Sequence, residues 1–358
     1  MRIAIDVREL QGKPTGVGRL LRTLLDVWTS MPAAQPHEFI QLAPAADGRL
    51  GGTLWEQLVL PRVVRQARAD VLFAPAYTGP IVSSVPMLVA IHDVSFAAHP
   101  EWFAWRDGLR RRAVARLAAR AAERVITISE FSKREIVEHL GVDASKIAVA
   151  YPGVTAFTPR SETSRPSLKG SSYSCTILFV GSIFNRRHVP ELIEGFALLA
   201  RSRPELRLEI VGDNRTSPRV NLDALVQATG IADRIHLRSY VSDSDLQQLY
   251  ADASAFVFLS EYEGFGLTPL EALASGVPVV LLDTPVAREI CGDAAAYVTR
   301  PDPDRVAAAL NAVLFDTGRR ERILSAARHV VNRYSWTTFS AHVLDELIEV
   351  GSGRRRAR

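Results

Sequence analysis

The chain has 358 residues, enough for two cores of ordinary size, and its 47% hydrophobic and 23% charged residues suit a globular protein rather than a disordered or fibrous one. The net charge of +4 vanishes once the four arginines of the last five residues, Arg354, Arg355, Arg356 and Arg358, are set aside, so the body carries no excess that points to a nucleic-acid groove. No apolar run reaches the ~18 residues of a membrane span, and the two cysteines, Cys175 and Cys291, build neither a disulfide framework nor a zinc site.

The first apolar segment, Arg2–Asp6, reads as a strand. It stops at an acid and lacks the features of a secretion signal, so a cytoplasmic location is expected. Asp6, Val7 and Arg8 follow it. Then comes Thr15-Gly-Val-Gly18, a weak phosphate-loop pattern, ahead of a helical period over Val17–Trp28. Further strands are expected at Phe39–Leu42, Val71–Ala74, Met87–Ile91, Arg124–Ile128 and Ile147–Ala150. The fourth of the six ends in His92 and Asp93, which places two ionisable side chains at a strand terminus. Helical periods cover Trp102–Ala122 and Glu130–Leu140. The first carries Arg106, Arg110, Arg111, Arg112, Arg116 and Arg120, with Leu109, Val114 and Leu117 expected on the opposite face. A solvated arginine face accounts for this pattern; peripheral docking on an anionic membrane also fits it.

Thr158–Ser174, rich in proline and serine, reads as a linker. The alternation restarts at Thr176–Gly181 and continues through Leu206–Gly212, Ile235–Leu237, Ala255–Leu259, Val277–Leu281 and Ala295–Val298. Helices over Pro303–Leu314, Gly318–Arg333 and Trp336–Val350 close the chain, with Ser335 as an N-cap. The pattern implies two doubly wound α/β domains, at residues 1–165 and 166–335, and a third segment, 336–358, that crosses back to the first and ends in the basic tail.

The chemistry concentrates in Leu259–Val280. A buried strand ends, Glu263-Gly-Phe-Gly266 turns, and a helix begins at Leu267 with Pro269 in its first turn and Gly276 past its end. Free backbone amides and a positive helix end at the carboxyl edge of a parallel sheet attract anions such as diphosphates. Glu263 and Glu271, which repel a diphosphate, suit the hydroxyls of a sugar and a ribose. A second basic loop follows Gly181 and delivers Arg186 and Arg187 to a strand end, a plausible clamp for the same diphosphate.

Glu263 through Glu271, with Gly264-Phe-Gly266 between, and the run on to Val280 resemble the signature of family 4 retaining glycosyltransferases of the GT-B fold. The resemblance implies two Rossmann-like domains facing each other across a cleft. It implies that Glu263 contacts the donor sugar, that Glu271 holds the ribose hydroxyls, and that the backbone of Phe265, Gly266 and Leu267 meets sugar and diphosphate. The family's basic loop commonly reads Arg-Lys-Asn, so Arg187 stands at the lysine and His188 at the asparagine. Gly16 matches the first-strand loop facing the diphosphate, and His92 the histidine lining the donor and acceptor side. Gly181, at the strand end ahead of the basic loop, joins the donor-binding set, and Gly212 and Tyr240 match the walls of the nucleoside pocket, where Tyr240 could pack on a base or sit in a core.

A retaining hexosyl transfer from a nucleoside diphosphate sugar to a glycan or lipid-linked hydroxyl, in cell-surface polysaccharide synthesis, is the expected reaction. No carboxylate nucleophile is evident, and front-side displacement is the family's mechanism. The His-Asp and Asp-Val-Arg features resemble mannosyltransferases, which favours GDP-mannose; UDP- or dTDP-sugars are the alternative. Asp243-Ser-Asp245 and Asp302-Pro-Asp304 imitate a metal motif but precede helices, where capping explains them, so neither metal nor cofactor is expected. A sugar-nucleotide epimerase, a nicotinamide oxidoreductase and a non-catalytic sugar-nucleotide binder explain the paired glutamates and basic loop less well.

Overall fold

The structure, a computed structural model, describes residues 1–12, 16–44, 52–155 and 175–353. The described residues form two compact units, one drawn from Met1–Gly153 with Tyr334–Arg358, the other from Val154–Arg333. The linker expected over Thr158–Ser174 and the arginine tail lie outside the described residues.

In the first unit, strands β1 (Arg2–Asp6), β2 (Glu38–Leu42), β3 (Val71–Ala74), β4 (Met87–Ala90), β5 (Arg124–Thr127) and β6 (Ile147–Val149) pair in parallel in the order β2-β1-β3-β4-β5-β6. Every residue of β3 and β4 is buried, as the unbroken apolar runs VLFA and MLVA require of strands covered on both faces. One face packs against helices Gly16–Ser30 and Trp336–Ser352, through Leu21, Leu24, Phe339, Val343 and Leu347. The other carries helices Leu60–Gln66 and Trp105–Ala121. Ser335 caps the last helix, accepting from the Thr338 amide as its sequence position predicts.

The second unit pairs β7 (Cys175–Val180), β8 (Leu206–Val211), β9 (Ile235–Arg238), β10 (Ala253–Phe258), β11 (Val279–Leu282) and β12 (Ala295–Val298) in the order β12-β11-β10-β7-β8-β9, again all parallel. The chain fills the sheet outward from β7 on one side and from β10 on the other. Between those two strands the winding direction reverses, and in open sheets of this kind ligands bind beyond the carboxyl ends of the strands at that point.

Twelve strands were expected and twelve are found among the described residues, with ends displaced by at most two positions. The arginine helix differs from expectation. Its buried stripe is Gly108, Ala115, Ala118 and Ala119, while Leu109 is 62% and Leu117 43% exposed among the arginines. Small residues let this helix lie close to its neighbours, which turns the larger side chains outward. The imitation metal motifs act as helix starts: Asp302 accepts from the Arg305 amide, and Ser242, just before Asp243, accepts from the Asp245 amide. Both cysteines are buried and free, and burial pushes the Cys291 thiol up to about 12.

Candidate active site

At the reversal point, the loop after β7 and the loop after β10 meet. Gly181 ends β7 with φ +148° and Gly212 ends β8 with φ +156°. A Cβ on Gly212 would stand 1.9 Å from the Gly181 carbonyl oxygen, and one on Gly181 would stand 2.7 Å from an Arg187 nitrogen. The two glycines are therefore what lets the β7 loop fold back over its own strand end. A short turn, Asn185–Arg187, follows and presents both arginines.

Arg187 lies against Glu263. Its Nε and Nη2 stand 2.8 Å and 2.7 Å from Glu263 Oε1, its Nη1 donates to the Ser182 carbonyl at 2.8 Å, and its guanidinium lies 4.9 Å from the Phe258 ring centre. Ser260 donates to the same Glu263 oxygen at 2.8 Å. Oε1 takes all three bonds, so among the described residues Glu263 Oε2 carries no protein hydrogen bond. Arg186 packs 4.4 Å over Phe184, and its carbonyl accepts from the Glu261 amide at 2.9 Å. Two loops from different strands are thus stitched by backbone and by charge.

Gly266, at φ +107°, is the N-cap of helix Leu267–Ala274 and has no side chain to block its first amides. A side-chain cap at that position would occupy donors that an anion could otherwise use. Phe265 is buried beneath the turn. One turn into the helix, Glu271 accepts from the buried Tyr250 hydroxyl at 3.0 Å, which fixes its carboxylate. A cavity beside Glu263 is lined by Ser260, Phe265, Gly266, Thr284 and Ala287. Tyr240 follows β9 at the sheet edge and is 76% exposed; two strand spacings, about 10 Å, separate β9 from β7.

The remaining expected residues belong to the first unit. Gly16 begins helix Gly16–Ser30 in open space, and Lys13–Thr15 before it lie outside the described residues. His92, at the end of β4, is buried. Its Nε2 donates to the Pro75 carbonyl at 2.7 Å, which fixes the tautomer, and among the described residues Nδ1 has no hydrogen-bond partner. Burial lowers the pKa of His92, against the opposing Pro75 hydrogen bond and Asp93 charge, so the ring is held neutral. Asp93 accepts from the Tyr77 hydroxyl at 2.9 Å and from Ser95 at 2.8 Å, the bonds of an orienting neighbour. Asp6 and Arg8 pair with each other at 2.7 Å, and Arg8 also reaches the buried Glu56.

Ser260, Tyr250 and Glu261 escaped the sequence reading. Ser260 stands three residues before Glu263 and could have been paired with it; Tyr250 looks like a core aromatic on an ordinary helix.

Two six-stranded parallel units, with charged loops at the strand reversal of the second, define the class as the GT-B glycosyltransferase fold. A crystal structure of Anabaena Alr3699/HepE with UDP-glucose shares that fold at a TM-score of 0.76 and 20% identity, covering 97% of this chain and 99% of that one. Residues 23–156 match the family described as Glycosyltransferase Family 4, and residues 161–330 match Glycosyl transferases group 1. The chain belongs to the family 4 glycosyltransferases. Among its relatives, O-antigen chain mannosyltransferase B of Escherichia coli is 28% identical over 72% of this chain and 69% of its own length. A D-inositol 3-phosphate glycosyltransferase of Streptomyces bingchenggensis is 31% identical over 66% of this chain but only 55% of its own length.

Proposed function

We propose that this protein is a retaining, metal-independent hexosyltransferase that moves a mannosyl group from GDP-mannose to a hydroxyl of a glycan or lipid-linked acceptor in cell-surface polysaccharide synthesis. The observation that carries the donor-site reading is the pairing of Arg187 with Glu263 at the strand reversal, beside the uncapped helix start at Gly266. A diphosphate at that helix end recruits Arg186 and Arg187, and the charge on the departing phosphate is stabilised by guanidinium and amide dipole together. Glu263, with Oε2 unclaimed, takes a sugar hydroxyl. Glu271, held by Tyr250, takes the ribose hydroxyls. Amides of Phe265, Gly266 and Leu267 and the close-packed Gly181 and Gly212 complete the donor side, with Tyr240 toward the base. His92, neutral with Nδ1 as an acceptor, and Gly16 serve from the first unit. The leaving phosphate takes the acceptor proton in a front-side displacement, which is why no carboxylate nucleophile is needed.

The mannosyl donor is favoured by the O-antigen mannosyltransferase relative. A UDP-sugar is the second reading, favoured by the UDP-glucose complex of the HepE structure. The enzyme works at the cytoplasmic side, docked through the outward face of helix Trp105–Ala121 on anionic lipid.

Thermal shift and slow donor hydrolysis, measured with GDP-mannose, UDP-glucose and dTDP-glucose in EDTA, decide among these. Stabilisation by GDP-mannose alone, lost in Arg187→Ala and weakened about tenfold in Glu271→Gln, supports the reading, since a charge-assisted hydrogen bond is worth roughly 1.5–3 kcal/mol. Stabilisation by UDP-glucose alone replaces the donor. A response to NAD with none to any sugar nucleotide overturns the transferase. Inverted product configuration by NMR removes the retaining mechanism.

A further inference from the structure

His188 closes the arginine turn in the left-handed region, at φ +50°, and starts helix Val189–Ala200 without bonding any of its amides. A residue other than glycine is uncommon in that conformation, and contacts with its surroundings hold it there. Two carboxylates supply it. Nδ1 stands 3.1 Å from Glu191 Oε1 on the helix that follows, and Nε2 stands 2.8 Å from Glu261 Oε1 in the loop after β10. Carboxylates only accept, so both contacts are hydrogen bonds only when both ring nitrogens carry protons.

The ring therefore spans the same two loops that Arg187 and Glu263 span, one residue after Arg187 on the first and two residues before Glu263 on the second. The Glu261 amide on the Arg186 carbonyl adds a backbone bond between them. Glu191 and Glu261 are the charges that face the ring; Arg187, on its own turn, is matched by Glu263, and Arg186 lies over Phe184.

We propose that His188, as an imidazolium, is a positioning residue that clamps the arginine loop to the glutamate loop and so sets where Arg187 meets a sugar-nucleotide diphosphate. The inference rests on the donor-site reading above. Burial lowers the pKa of His188, but its bonds to Glu191 and Glu261 outweigh burial and leave it above the ordinary 6.5. A raised pKa means the clamp is complete below the ordinary value and is lost as pH rises through the higher native one. Deprotonation leaves one N–H for two carboxylates, and one end lets go.

Two measurements on the full chain test this. The first follows the imidazole signals by NMR against pH and assigns His188 as the one missing from His188→Asn. Its pKa should stand above 6.5 and fall in Glu261→Gln; a value at or below 6.5, unmoved by Glu261→Gln, overturns the clamp. The second follows the binding of GDP-mannose and UDP-glucose across the same pH range. The affinity of whichever binds should weaken about tenfold as the imidazole loses its proton, the worth of one charge-assisted hydrogen bond. In His188→Asn, and in Glu261→Gln should the former not fold, that pH limb should flatten, with kcat less affected than KM. Titration of His188 without any pH limb in affinity overturns the positioning role. Failure of both sugar nucleotides to bind at every pH overturns the donor-site reading instead, and the NMR result still decides the clamp.

Discussion

Gly212 and Gly16 are glycines for different reasons, and the difference is testable. At Gly212 the fold itself disfavours a side chain, because a Cβ would meet the Gly181 carbonyl oxygen, a backbone atom, at 1.9 Å. At Gly16 a Cβ would meet nothing within 4 Å among the described residues. A glycine that its own fold does not require is one that a ligand can require, through close approach to the main chain. Gly212→Ala should therefore lose about 3 kcal/mol, since overpacking costs roughly 1–3 kcal/mol and this one adds a left-handed φ. Gly16→Ala should hold its unfolding midpoint and instead lose donor affinity. Urea unfolding of the two variants separates the cases; equal midpoints would mean the β7 and β8 strand ends yield more easily than their packing implies.

At the scale of elements, strands and their order were legible and one helix face was not. Apolar runs of three to seven residues between turn signals marked the twelve strands, most plainly central ones such as β3 and β4, because strands buried on both faces admit little else. The catalytic candidates were legible where they sit next to a strand end, as Glu263, Arg187 and His92 do. Partners that arrive from another element, such as Tyr250 on Glu271 or Glu261 on His188, leave no mark in spacing. Helix Trp105–Ala121 misled for a physical reason: large apolar residues usually mark the buried face, yet here Gly108, Ala115, Ala118 and Ala119 fill it. Trp105, at 70% exposure, Leu109 and Leu117 instead stand among six arginines with one acid, Asp107, on the same helix. Insertable side chains interleaved with cations suit an anionic lipid surface, at about 1 kcal/mol per arginine. Arg106→Glu with Arg120→Glu, or Leu109→Ser alone, should abolish co-sedimentation with phosphatidylglycerol vesicles while stability changes by less than about 0.5 kcal/mol, as exposed substitutions do. Equal binding to neutral phosphatidylcholine vesicles would sink the docking face.

Across the whole molecule, the chain leaves the first unit at Gly153, builds the second, and returns at Tyr334. The return is not decorative. Helix Trp336–Ser352 buries Phe339, Val343, Leu344, Leu347 and Val350 in the first unit's core, and Trp28 Nε1 donates to the Ser340 carbonyl at 3.0 Å. At about 1.5–3 kcal/mol for each of these five apolar side chains, removing the helix costs the first unit roughly 7 kcal/mol or more. That equals or exceeds the whole stability of many domains, about 5–15 kcal/mol. The second unit has a six-stranded sheet of its own. A chain ended after Arg333 should therefore keep protected amides in β7, β8 and β10 by hydrogen exchange while β1, β3 and β4 exchange freely. Because Glu263, Glu271 and Arg187 all lie in the protected unit, the truncated chain should still bind the diphosphate end of a sugar nucleotide and yet transfer nothing. Protection spread equally over both sheets would show that the first six strands hold together without the helix that returns to them.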